Sequence, residues 1–199
     1  MIGLDFENRA SQEGYKCVAG VDEVGRGCLA GPVVAGAVIL NRSKALPEGL
    51  NDSKKISKKK RETLAAKIKE CALGYAVGQI EADEIDQINI LEATKKAMGL
   101  AIRNLQVEAD FLLIDALELK NVVLPQKGII KGDSISASIA AASIIAKVYR
   151  DKLMKDYAET YPAYGFERHA GYGTQAHFLA LRKNGVTPIH RKSFKGVSR

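Results

Sequence analysis

Residues 18–40 read VAGVDEVGRGCLAGPVVAGAVIL. Cys17 to Val21 is a short apolar run of the kind that forms a buried β-strand. Two carboxylates, Asp22 and Glu23, follow where a core strand would carry apolar side chains. A buried charge without a partner is costly, so such a pair is expected to bind a cation or to titrate abnormally. Gly25-Arg26-Gly27 comes next. Two glycines let the backbone approach a ligand closely, and the arginine sets a guanidinium beside it. A second apolar strand, Val33 to Leu40, resumes after Gly31-Pro32. Taken alone, these residues also describe a strand end and an ordinary turn. The rest of the chain has to decide.

A length of 199 residues with 46% hydrophobic and 27% charged residues fits one soluble domain with a full core. The first residues, MIGLDFENRASQEGYK, hold no leader-like apolar stretch, and the longest apolar run is too short to span a bilayer. Cys17, Cys28 and Cys71 have no metal-ligand spacing and are odd in number, so they are expected to be reduced core residues of a cytoplasmic protein. The net charge of +7 is unevenly spread. No acidic residue follows Glu167, whereas Arg168, Arg182, Lys183, Arg191, Lys192, Lys195 and Arg199 are basic and account for the whole excess. A basic end on a neutral body is the footprint of contact with a polyanion, or a solvated tail.

Further along, the pattern predicts a helix over about 57–73, opened by the cationic run Lys54 to Arg61. A strand over 75–80 and a long helix over 82–105 follow. Glu81, Asp83, Glu84 and Asp86 suit the first turn of that helix and need no chemistry. The run Phe111 to Ile114 reads as a buried strand that stops at Asp115, where α/β sheets gather ligands. Short extended pieces are expected at 122–124 and 128–131. Asp133 then stands before a helix over about 134–152 with Ile135, Ile139, Ala142 and Ala146 as its apolar stripe. Aspartate there is also a favoured N-cap. Tyr172 lies between two glycines in the basic region, as either a stacking aromatic or a core tyrosine. His169, His177 and His190 share no ligand spacing.

Six motifs in order, GVDEVGRG (20–27), LNDSKKIS (50–57), LLIDAL (112–117), KGDSISASIAAASIIAKVYRD (131–151), HAGYGT (169–174) and TPIHRKSF (187–194), resemble the type 2 ribonucleases H, ribonuclease HII. The resemblance spans about residues 18–194. It implies an α/β ribonuclease H-like fold, a central mixed β-sheet flanked by helices, with about 153–199 as a small basic helical part of one catalytic domain over 1–199. It also implies a four-carboxylate site of Asp22, Glu23, Asp115 and Asp133, holding two divalent ions, Mg²⁺ or Mn²⁺, as hard oxygen ligands do. Adjacent strand residues face opposite ways, so Asp22 and Glu23 converge only if the strand bends before Gly25.

The same resemblance assigns recognition of the 2′-hydroxyl to Gly25, Arg26 and Gly27 and stacking at the ribonucleotide to Tyr172. Lys54, Ser134 and Lys147 are then phosphate contacts. The expected reaction is cleavage 5′ of a ribonucleotide, leaving a 3′-hydroxyl and a 5′-phosphate. Its expected partners are RNA–DNA hybrids and duplex DNA with single embedded ribonucleotides, the substrates of ribonucleotide excision repair. Two departures stand out. Ala170 replaces the family's frequent lysine, and no Gln-x-x-aliphatic-x-x-aromatic signature is seen, so no sliding-clamp partner is expected; a monomer is the default expectation. The type 3 ribonucleases H, which act on hybrids, are the nearest rival, and Arg26 argues against them. A non-catalytic nucleic-acid-binding protein of the same fold is opposed by the four intact carboxylates.

Overall fold

β1 (Val18–Val24) and β2 (Val33–Leu40) form the centre of a five-stranded sheet, preceded by the short helix α1 (Asp5–Gln12). The computed structural model describes residues 2–51, Ser53 and residues 56–197. After β2 come α2 (Lys58–Cys71), β3 (Ala72–Ile80), α3 (Ala82–Arg103), β4 (Phe111–Asp115) and β5 (Gln126–Ile129). A 3-10 turn, Gly132–Ser134, leads into α4 (Ala137–Thr160), followed by α5 (Phe166–His169) and α6 (Gln175–Asn184). The strand order is β3-β2-β1-β4-β5. β1, β2 and β3 pair antiparallel, whereas β1, β4 and β5 pair parallel. This is the mixed sheet flanked by helices that the sequence implied.

The unbroken apolar run of β2 is explained by cover on both faces. Val33, Ala35, Ala37 and Ile39 face a core with Ile85, Ala97 and Met98 of α3. Val38 and Leu40 face the opposite core, made with Leu64 and Ile68 of α2 and Ala141 and Ile144 of α4. The small residues of α4 allow it to lie against the sheet backbone. A Cβ on Gly20 would run into the backbone of Ser138 and Ile139, and one on Gly36 into the carbonyl of Ala142. The chain after α4 builds a third core, in which Phe166 and Leu181 pack with Met154 of α4 and with Leu29 and Ala30 of the loop after β1.

Several expectations shift. α4 is capped by Ser136, whose hydroxyl accepts from Ile139 N–H, so Asp133 is not its N-cap but lies in the 3-10 turn before it. Ile135 is accordingly outside the helix and exposed. Residues 122–124 form no strand; β5 begins only after Pro125. Leu91 of α3, apolar though it is, is exposed. The helix breaks at Asn89 (φ 66°, ψ 165°), whose side chain accepts from Leu91 N–H and restarts the helix in a new phase. Of the cysteines only Cys28 is fully buried. Arg191 does not belong to the solvated basic end: it is completely buried. Among the described residues, no helix is long and apolar enough to cross a membrane.

Candidate active site

Parallel pairing of β1 with β4, Val21 beside Ile114, makes Asp22 and Asp115 the next residues on adjacent strands. Both therefore emerge together at the carboxyl ends of parallel strands, the edge at which α/β sheets place their ligands. Glu23 joins them at the end of β1, where Gly25 turns the chain with φ +90°. Carboxylate oxygens of Asp22, Glu23 and Asp115 lie within 4.8 Å of one another. The backbone N–H of Glu23 donates to Asp22 Oδ1 at 2.7 Å, and that of Gly132 donates to Asp115 Oδ1 at 2.7 Å. Asp133 is outside the 4.8 Å group. It is buried one residue beyond Gly132, and accepts from the Ser134 hydroxyl at 3.3 Å.

The electrostatics of this cluster call for a cation. Burial first, and then the charges of Glu23 and Asp115, hold the Asp22 carboxyl well above the usual carboxylate range. Burial also raises Glu23, against the opposing pull of Arg26, whose guanidinium donates to Glu23 Oε1 at 3.1 Å. The second oxygen of Glu23 is buried with no protein partner. A hard divalent ion is the natural ligand for such an oxygen, and these three carboxylates fit one.

The loop that follows β1 is held by two buried arginines whose burial the sequence did not reveal. Arg150, fully buried on α4, donates to the carbonyls of Ala30, Pro32 and Ala170 at 2.8–3.0 Å. Arg191 donates through Nε and Nη2 to the Gly31 carbonyl and through Nη1 to the Arg26 carbonyl. A Cβ on Gly25 would strike the Arg150 side chain, whereas one on Gly27 would meet open space. Both arginines sit inside otherwise ordinary motifs, and nothing in residue type marks them as buried.

Tyr172 is 42% exposed and pairs by backbone with Cys28, directly after Gly27. Ala170 takes a left-handed conformation (φ 47°), and its carbonyl accepts from Arg150. Beside Tyr172 runs a groove lined by Lys58, Arg61, Lys147, Lys155 and Arg168. Lys147 is held there by Asp151 at 2.7 Å, and Arg61 is half-buried, donating to the Ser53 and Ile56 carbonyls. Ser134 is half-buried in the 3-10 turn beside Asp133. Lys54 lies outside the described residues.

The family model for ribonuclease HII matches residues 19–197. The chain belongs to the ribonuclease HII family. It is 59% identical over 194 residues to the ribonuclease HII of Desulfitobacterium hafniense strain DSM 10664 / DCB-2, covering 98% of this chain and 74% of that protein. Among solved structures it resembles ribonuclease H2 of Pyrococcus horikoshii OT3, with a TM-score of 0.76 at 26% identity over 92% of this chain and 95% of that one. It resembles equally the ribonuclease HII solved in complex with PCNA from Archaeoglobus fulgidus, with a TM-score of 0.76 at 26% identity, covering 90% and 96%. The fold is thus ribonuclease H-like, and the ribonuclease HII family comprises metal-dependent endoribonucleases that hydrolyse phosphodiesters.

Proposed function

We propose that the chain cleaves the phosphodiester on the 5′ side of a ribonucleotide, both in RNA–DNA hybrids and at single ribonucleotides embedded in duplex DNA. The products are a 3′-hydroxyl and a 5′-phosphate. The observation that carries this reading is the trio Asp22, Glu23 and Asp115 within 4.8 Å, with a buried, unpartnered Glu23 oxygen, beside the turn at Gly25 to Gly27. With Asp133 they would hold Mg²⁺ or Mn²⁺, two ions when substrate is bound. When bound, these ions supply an activated water, charge neutralisation at phosphorus and help for the departing 3′-oxygen.

The chain's own groups orient the rest. Hydrogen bonds from the Glu23 and Gly132 N–H groups help to orient the carboxylates of Asp22 and Asp115. The backbone of Gly25, Arg26 and Gly27 reads the 2′-hydroxyl, for which the open space at Gly27 leaves room. Tyr172 packs on the sugar next to the ribonucleotide. Lys147, Ser134 and Lys54 contact phosphates, Lys147 from the wall of the basic groove. The whole chain, 1–199, acts as one catalytic domain, with about 153–199 as its basic helical part, and works as a monomer in the cytoplasm without a sliding-clamp motif of its own. Its physiological work is removal of hybrids and of misincorporated ribonucleotides.

A labelled duplex with one ribonucleotide, incubated with Mg²⁺ or Mn²⁺, tests this reading. A nick directly 5′ of the ribonucleotide is expected, absent with EDTA and absent in Asp115→Asn, which still binds the duplex. Cleavage confined to continuous hybrids would favour a type 3 specificity, and binding without cleavage a non-catalytic role.

A further inference from the structure

Behind Tyr172 lies a chain of hydrogen bonds that the chemistry above does not use. His177 of α6 and His190 of the segment after it are buried, with their Nε2 atoms 3.0 Å apart. Two facing imidazole nitrogens share one proton, so one donates and the other accepts. The outer nitrogens decide which. His177 Nδ1 lies 3.0 Å from the Tyr172 carbonyl, which only accepts, so His177 carries its proton on Nδ1. His190 Nδ1 accepts the Thr187 N–H at 2.9 Å, so His190 carries its proton on Nε2. The Thr187 hydroxyl stands 2.7 Å from the same nitrogen. One direction satisfies every atom: Thr187 to His190, His190 to His177, His177 to the Tyr172 carbonyl.

The surroundings favour the neutral pair. His169 stacks on His177 with ring centres 4.6 Å apart, Phe166 meets His177 edge-on, and Tyr164 lies 5.1 Å from His190. Burial lowers both histidines, His190 to about 4. The backbone of Tyr172 is thereby fixed on every side. Its N–H donates to His169, and its carbonyl takes both the imidazole and the Thr174 N–H. The residue as a whole remains 42% exposed.

We propose that His177 and His190 are positioning residues for Tyr172: their relay sets where the phenol ring stands, and so sets the preference for an isolated ribonucleotide over a continuous hybrid. The inference rests on the reading of Tyr172 as a substrate contact.

Amide replacements of the two histidines test it. Asparagine places its N–H₂ near the Nδ1 of the imidazole it replaces, and glutamine near Nε2. His177→Asn therefore keeps a donor for the Tyr172 carbonyl, and His177→Gln loses it. His190→Gln keeps the donor for His177, and His190→Asn loses it. The readout is the ratio of kcat/KM on a duplex with one ribonucleotide to that on a hybrid, with melting temperature measured alongside. The expected result is a ratio close to wild type in His177→Asn and His190→Gln and a fall of about tenfold in His177→Gln and His190→Asn, the worth of one well-placed hydrogen bond. A purely structural role would lower stability in all four and separate neither pair. Either pair decides alone if a member of the other does not fold. Equal ratios within the folded pair overturn the inference. Tyr172→Ala separates the two levels: an unchanged ratio there would overturn the substrate role of Tyr172 itself.

Discussion

The guanidinium of Arg191 donates to the backbone carbonyl of Arg26 at 2.8 Å, joining positions 165 residues apart in the chain. Its other nitrogens take the Gly31 carbonyl, so a single side chain spans both ends of the loop that follows β1. Burial lowers its pKa to about 10, which leaves it charged at neutral pH. Lysine carries the charge without the fork and cannot bridge both carbonyls. Arg191→Lys is expected to lose about 2 kcal/mol in urea unfolding, from carbonyls left without donors, and to raise KM on ribonucleotide-containing duplex. Wild-type stability and KM in this variant would show that the loop holds its shape without Arg191.

Asp22 makes metal-free stability depend on pH in a definite direction. Its folded carboxyl titrates above the ordinary 3.8 because of burial and the neighbouring carboxylates. The native state then holds more protons than the unfolded one between these two values, so metal-free stability falls as pH rises through that window. Mg²⁺ or Mn²⁺ should restore it. Asp22→Asn removes the penalty, so the metal-free variant should melt about 2–4 °C higher at neutral pH, on the order of 1 kcal/mol for a chain of this size. Calorimetric scans with EDTA check this, and a lower melting temperature for Asp22→Asn would contradict it.

Glu7 of α1 ties the start of α4 to the chain's first helix. Its Oε1 accepts from the Ser136 hydroxyl and from the Ser138 N–H and hydroxyl, all at 2.6–2.9 Å and buried. Glu7→Ala leaves those donors unsatisfied, and a loss of about 2–3 kcal/mol is expected. Because Ser136 lies three residues after Asp133, Mn²⁺ affinity should fall as well. Denaturant titration and metal titration of the same variant read the two effects separately.

The approach of α4 to the sheet leaves no room at Gly20. Gly20→Ala would press a methyl group into the backbone of Ser138 and Ile139. A destabilisation of about 2–3 kcal/mol is expected, since backbone cannot move aside as a flexible side chain can. Ala at the open position Gly27 should leave stability nearly unchanged while weakening substrate binding, and the contrast between these two variants is the measurement.

Apolar runs mark β1, β2 and β4 in the sequence, and the family resemblance points to Asp22, Glu23 and Asp115, whose carboxylates lie within 4.8 Å, whereas α1 and α5 have no counterpart in the sequence pattern. Local signals failed where tertiary structure overrides them. Asp133 has the residue type of a helix cap, but Ser136, three residues later, takes that place because the chain first makes a 3-10 turn. Arg150 and Arg191 look like surface cations, and only the fold reveals that both are buried against backbone carbonyls, those of the loop after β1 and, for Arg150, that of Ala170 as well. The doubt over adjacent strand residues is answered by position: Asp22 and Glu23 stand at the strand's end, where Gly25 turns the chain. The histidine pair left no signature at all, because His177 and His190 meet only when the last segment folds back on α6.

Titration of Mn²⁺ into the metal-free protein, with wild type and Asp115→Asn compared side by side, addresses the carboxylate cluster without relying on turnover. Wild type is expected to bind the ion, and Asp115→Asn to bind at least about tenfold more weakly while melting as a folded protein. Undiminished Mn²⁺ affinity in a folded Asp115→Asn would contradict a metal site built on Asp22, Glu23 and Asp115.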